Sequence, residues 1–98
     1  MIKPNETYAF KLVSGEEIIA RVISNEGEYL KISSPISLTA TQQGMGLVPS
    51  MFTAKPDGDF TLNINSVAIC ADVDEHMKTK YIEATTGLKV PDKKLILG

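Results

Sequence analysis

Apolar and polar residues alternate from Thr7 to Val13, with Tyr8, Phe10 and Leu12 on one side and Ala9, Lys11 and Val13 on the other. That period of two predicts a half-buried strand. Ser14-Gly15 follows as a turn pair, in which Gly takes the positive φ that tight hairpins need. Glu17 to Ser24 is expected as a second strand, rich in the β-branched residues Ile18, Ile19, Val22 and Ile23. Asn25-Glu26-Gly27 makes the next turn, and Glu28 to Ser33 a third strand with Leu30 and Ile32 inward. Pro35 bends or bulges the chain, because it has no N–H for a ladder. Ile36 to Thr41 continues extended, Gln42-Gln43-Gly44-Met45-Gly46 reads as a flexible connection, and Leu47 to Ala54 as a fourth strand interrupted by Pro49.

Lys55-Pro56-Asp57-Gly58-Asp59 is a turn signal. Phe60 to Ile64 alternates again, Asn65-Ser66 breaks the pattern, and Val67 to Val73 is a continuous apolar run suited to a well-covered strand. The period then changes. Asp74 is a helix cap and Glu75 suits the positive helix end. Met77, Tyr81, Ala84 and Leu88 make one stripe of a short helix over about 74–87, closed by Gly87 with Leu88 folding back. Residues 88–98 form a tail with Lys93-Lys94 and Leu95-Ile96-Leu97, read either as an extra edge strand or as disorder. Short strands at regular turn spacing, then a helix, predict a mostly β fold: a small, strongly bent antiparallel sheet closing into a partly open barrel over about 6–73, with a C-terminal helix. The 98 residues make one domain, since halving them would starve both parts of core.

Charge changes the picture in one respect. Ten Lys/Arg against twelve Asp/Glu give a net charge of −2 and a pI near 5.3, which excludes a generically basic nucleic-acid binder. The charges are unevenly placed: none lies between Ile32 and Ala54, and none between Phe60 and Ala71. A small soluble monomer normally puts charges on the solvent side of such segments.

Candidate chemistry is thin. The single Cys70 forms no internal disulfide and, within an apolar run, is expected to be a buried inert thiol. His76 and Cys70 are too few N/S ligands for a metal site. Glu16-Glu17 are adjacent and point to opposite faces of a strand, so they are no carboxylate pair. Asp57-Gly58-Asp59 lacks the later acidic residue of a calcium loop, and Gly44-Met45-Gly46 lacks the helix and Lys of a phosphate loop. The reading is a protein without catalysis, metal or cofactor. Met1-Ile2-Lys3-Pro4-Asn5-Glu6 is polar, so no secretory signal is expected. No run approaches the roughly 18 apolar residues of a membrane span. A cytoplasmic protein with no membrane partner is the expectation.

Leu12-Val13-Ser14-Gly15-Glu16-Glu17-Ile18-Ile19-Ala20-Arg21-Val22 resembles the first motif of the Sm-like family, which includes the Sm and LSm proteins and bacterial Hfq. In that pattern a hydrophobic residue precedes a turn Gly, hydrophobics and a small residue follow it, and an acidic residue comes later. Leu12, Gly15, Ile18, Val22, Ala20 and Glu26 hold those places in turn. A small residue lets a strongly bent strand cross its neighbour closely. Phe60 to Ile69 resembles the second motif: strand, tight polar loop, closing strand. The resemblance covers most of residues 7–73 and implies a five-stranded Sm-like barrel. Three departures stand against it. Pro4 argues against the family's N-terminal helix, and a C-terminal helix is expected instead. Tyr29-Leu30-Lys31 stands where the base pocket has an Asn, and Asn65-Ser66 replaces the basic residue of the second loop.

The resemblance implies a cyclic homo-oligomer, in which edge strands of neighbouring subunits pair, and single-stranded RNA as the ligand at loops facing the pore. Asn25, Tyr29, Asn65 and Ser66 then become the RNA-binding candidates, Tyr29 to stack a base and Asn65 to bond its edge. Three of them also have a plain structural reading: cross-strand packing for Tyr29, turn chemistry for Asn65 and Ser66. Two alternatives remain open. One is a ring-shaped assembly module without RNA, with the helix or the tail as its binding surface, which the net acidity favours. The other is a monomeric virion or scaffold protein whose uncharged strands are simply core.

Overall fold

The computed structural model describes residues 2–86. β1 (Thr7–Leu12), β2 (Glu17–Asn25), β3 (Tyr29–Thr41), β4 (Gly44–Pro49), β5 (Asp59–Asn63) and β6 (Val67–Asp72) precede one helix, α1 (Glu75–Thr86). A 3-10 turn, Ile64–Ser66, joins β5 to β6. All pairings are antiparallel, in the order β4-β3-β2-β1-β6 with β5 also on β3. The fold is mostly β and its sheet does not close. Residues 2–6 contain no helix, as Pro4 predicts. The cap expected of Gly87, the fold-back expected of Leu88 and the tail 88–98 lie outside the described residues.

Strand β3 organises the sheet. One of its edges takes β2, through residues 30–37. The other takes β5 along Tyr29–Ser33 and β4 along Ile36–Thr41. β4 and β5 therefore lie end to end, two halves of one interrupted strand separated by loop 50–58. This is why six strands form where five are predicted. β3 bends at Ser34-Pro35: Ile19 pairs with Ile36 but Arg21 with Ser33, so β3 spends three steps against two on β2. Ser34 sits at φ 52, which a non-Gly residue adopts only when its surroundings hold it there.

Two expectations at the fourth strand are corrected. The predicted flexible connection is a tight turn, with Gly44 at φ 121 and Met45 and Gly46 already in the ladder. The strand then stops at Pro49 rather than running to Ala54, and Met51 and Phe52 fall in the loop. Proline supplies the reason, since it cannot donate to a continuing ladder.

Both faces of β2 are used, as its run of buried residues shows. Ile18, Ala20 and Val22 point into the main core with Tyr8, Phe10, Leu30, Ile32 and Leu62. Ile19 points the other way and packs with Ile36 against Tyr81 of α1. Ala20 is fully buried where the bent strands approach, as its small size allows. The helix starts as predicted, with the Asp74 carboxylate accepting from the backbone N–H of His76 (3.1 Å) and Met77 (3.3 Å). Tyr81 anchors it: its hydroxyl donates to the carbonyls of Ser34 (2.9 Å) and Ser33 (3.3 Å) at the β3 bend. No helix among the described residues is long and apolar enough to cross a membrane.

The largest correction concerns β6. It is an edge strand paired only to β1, and every residue from Ala68 to Asp72 is exposed. Cys70 is likewise exposed rather than buried. An apolar run signals that a strand is suited to cover, and within the single chain nothing described supplies that cover.

Candidate functional site

The four sequence-nominated residues lie on two neighbouring turns. Asn25 ends β2 and Tyr29 begins β3, flanking the turn at 26–28, while Asn65 and Ser66 belong to the 3-10 turn. The turns are tied together directly: Ile64 N–H donates to the Glu28 carbonyl (3.1 Å), and Tyr29 and Asn63 are cross-strand partners. Val13 N–H donates to the Ser66 carbonyl (2.8 Å), which brings the β1–β2 turn to the same end of the sheet.

Local chemistry builds these turns. Gly27 takes φ 92, and its N–H donates to the Asn25 side-chain oxygen at 3.0 Å. The Asn63 side-chain oxygen accepts from Asn65 N–H (2.8 Å), and the Ser66 hydroxyl donates to the Asn63 carbonyl (2.6 Å). Ser66 and the oxygen of Asn25 are thus engaged in holding the backbone. The Asn65 side chain is exposed beside a shallow cleft lined by Gly27, Glu28, Asn63 and Ile64. Tyr29 is 37% exposed and points away from the core, since its neighbour Leu30 is fully buried on the other face.

The arrangement therefore offers Tyr29 and Asn65 as free recognition groups, with Asn25 and Ser66 as turn-formers. Sequence reasoning missed Asn63, the residue that caps the 3-10 turn and lines the cleft; the Asn-x-Asn spacing of Asn63 and Asn65 was the available signal. The electrostatics are unfavourable to phosphate. Glu26 and Glu28 sit in the adjoining turn, and no cation lines the cleft among the described residues. Lys31, two positions from Tyr29, shares its face of β3.

A second feature is the pair of open sheet edges. β5 and β4 each bond only to β3, and β6 only to β1. Their outer sides carry unpaired backbone donors and acceptors. Ile69 on β6 and Met45 on β4 are each 60% exposed. Cys70 lies opposite Phe10, on the face that continues into the core, and partial desolvation there pushes its thiol pKa up from the ordinary value. Among the described residues no three His, Cys, Asp or Glu side chains converge on a metal-sized site.

No protein-family model matches the chain, and no curated protein matches it in sequence.

Proposed function

We propose that the protein is a cytoplasmic, non-catalytic Sm-like subunit that assembles head to tail into a homo-oligomeric ring and binds single-stranded RNA at the turn-bearing end. One observation carries the reading: two different antiparallel edges, β5 and β6, stand open at the ends of one sheet, and both lie in the charge-free stretch Phe60–Ala71 apart from their end residues Asp59 and Asp72. An open edge without charged residues along it is an aggregation hazard unless another chain pairs with it. Two unlike edges make a heterologous contact, which ends in a ring when the rotation closes.

In such a ring, Tyr29 stacks a base and Asn65 hydrogen-bonds a base edge, while Asn25 and Ser66 hold the two turns. A second reading, an assembly ring that binds no RNA, is favoured by Glu26 and Glu28 beside the cleft, because phosphate neutralisation supplies most non-specific affinity. Gel filtration with light scattering tests assembly: a mass several times the 10.6 kDa subunit is expected at micromolar concentration, and a monomer overturns the proposal. Fluorescence anisotropy with labelled oligo-U and oligo-A at two salt concentrations tests the ligand. Absence of binding at low salt removes RNA and leaves the assembly reading.

A further inference from the structure

The charge-free stretch Ile32–Ala54 includes a segment that the proposed ring edges do not use. β2 accompanies β3 only as far as Ser37, whereas β4 follows it to Thr41. Residues 38–41 and 44–47 therefore leave the sheet as a two-stranded arm, closed by Gln42-Gln43. Leu38 and Leu47 hold its base against the second core, and Thr39 to Met45 are exposed. A two-stranded ribbon in water is marginally stable by itself. Native sheet edges carry Lys or another charge that stops copies from pairing, and this arm carries none.

The register decides which backbone groups the arm leaves open. Ser50 N–H donates to the Pro35 carbonyl at 3.1 Å, and the ladder then runs in step to Thr41 and Gly44. Bonded and non-bonded pairs alternate in an antiparallel ladder. Ser37 with Val48, Thr39 with Gly46 and Thr41 with Gly44 are therefore the bonded pairs, while Met45, Leu47 and Pro49 turn their backbone outward. Proline brings no N–H, so the outer edge of β4 offers the donors of two residues, Met45 and Leu47, placed symmetrically about Gly46. That edge is complementary to itself. Met45 against Leu47 of a second copy, and the reverse, satisfies every outward donor from Gly44 to Val48. Gly46 then faces its own counterpart with no side chain between, and Pro49 falls opposite the turn, beyond the paired region. Met45, largely exposed in the single chain, gains the Leu47 side chain of the other copy as a same-face neighbour.

We propose that the β4 edge is a second, isologous contact surface whose partner is the β4 edge of another copy, paired antiparallel about Gly46. A strand pair this short buries less than the roughly 1,200 Å² of a stable complex. Between single subunits the contact is therefore weak at micromolar concentration, and it strengthens where subunits already linked present several arms together. It uses neither β5 nor β6, so it stands or falls apart from the ring.

Disulfide trapping gives the test, in full chains carrying Cys70→Ser so that the introduced thiol is the only one. Gly46→Cys sets two thiols at a non-bonded pair, whose Cα separation of about 4.5 Å suits a disulfide. Gln43→Cys, at the exposed tip and far from its own counterpart in this register, measures random collision. Under mild oxidation the Gly46→Cys chain should dimerise covalently roughly tenfold faster or more, because pairing holds the thiols at a high effective concentration. Equal rates overturn the proposal. A Cβ at Gly46 would lie 3.2 Å from the Thr41 methyl, so a second measurement leaves position 46 untouched. In the Ile69→Lys chain, hydrogen exchange of the Met45 and Leu47 amides should slow roughly twofold or more between tens of micromolar and about a millimolar, as mass action populates the pair. Gly46, bonded within the arm, should not respond, and Met45→Lys should abolish the effect. Protection that does not rise with concentration would mean that the edge is closed within one copy, and exchange that stays fast throughout would mean that it is open; either result overturns the pairing. Because Ile69→Lys disables the β6 edge, these readouts stay separate from ring assembly.

Discussion

Replacing Tyr81 by Phe isolates the contact that fastens α1 to the sheet. Tyr81 is 4% exposed and packs with Ile19 and Ile36. Phe keeps that packing and removes only the hydroxyl, which donates at 2.9 Å to the Ser34 carbonyl and more weakly at 3.3 Å to that of Ser33. One good intramolecular hydrogen bond nets about 1 kcal/mol, and a buried acceptor left without a donor raises the loss toward 2 kcal/mol. The acceptor belongs to Ser34, whose left-handed φ of 52 needs external support. The expected destabilisation is therefore about 1–2 kcal/mol. For a domain of this size each kcal/mol lowers Tm by about 4–8 °C. Urea unfolding followed by circular dichroism measures it, with a shifted midpoint and an unchanged slope. A change below about 0.3 kcal/mol, less than the weakest estimate for a single net hydrogen bond, would refute the claim that the hydroxyl anchors the helix.

Burial pushes the Tyr81 phenol above its ordinary pKa, although hydrogen bonding and charge from Arg21 oppose the shift. The unfolded chain therefore loses this proton first, so the stability it protects is present below about pH 10 and falls as pH rises past that value. Alkaline unfolding of Tyr81→Phe should lack this component. Tyr29→Ala should weaken RNA binding by about 1–3 kcal/mol, the loss of one stacked base, with anisotropy as the readout; unchanged affinity removes Tyr29 from the site. Ile69→Lys places a charge on the open β6 edge and should yield monomers in light scattering. Because Ile69 is mostly exposed, its thermal stability as a monomer should change by no more than about 0.5 kcal/mol. Asp74→Ala removes the acceptor for His76 and Met77 N–H and should cost about 1 kcal/mol, measured by thermal melting.

Much of the architecture was legible because local chemistry dictates it. The alternation at Tyr8-Phe10-Leu12, the positive-φ glycines of the first two turns and the Asp74 cap each act over a few residues. Pro35 marked the bend correctly. The fourth strand was misplaced because Gly44-Met45-Gly46 resembles a linker in composition, whereas Gly44 closes the turn and Met45 pairs with Ala40. The site was half legible. Sequence nominated both turns; Asn25 and Ser66 spend hydrogen-bonding groups on backbone two and three residues away, and only the tertiary approach of Glu28 to Ile64 brings the two turns together.

The misreading of β6 carries more information than the successes. Val67 to Val73 has the composition of a strand covered by protein, yet the folded chain leaves Ala68 through Asp72 exposed. Hydrophobic patterning records what a side chain is suited to meet, and it does not record whether the same chain supplies the cover. A strand apolar in sequence and bare in the single chain is thus a positive sign for a second chain. Cys70 makes the inference measurable, because its register opposite Phe10 places it where a neighbouring β5 would extend the core. If β5 of a neighbour pairs with β6, a thiol reagent should modify Cys70 at least ten times more slowly in wild-type protein than in Ile69→Lys, with both rates corrected to the same pH. Equal rates would mean that the β6 edge is open in solution, and the head-to-tail ring would lose its principal support.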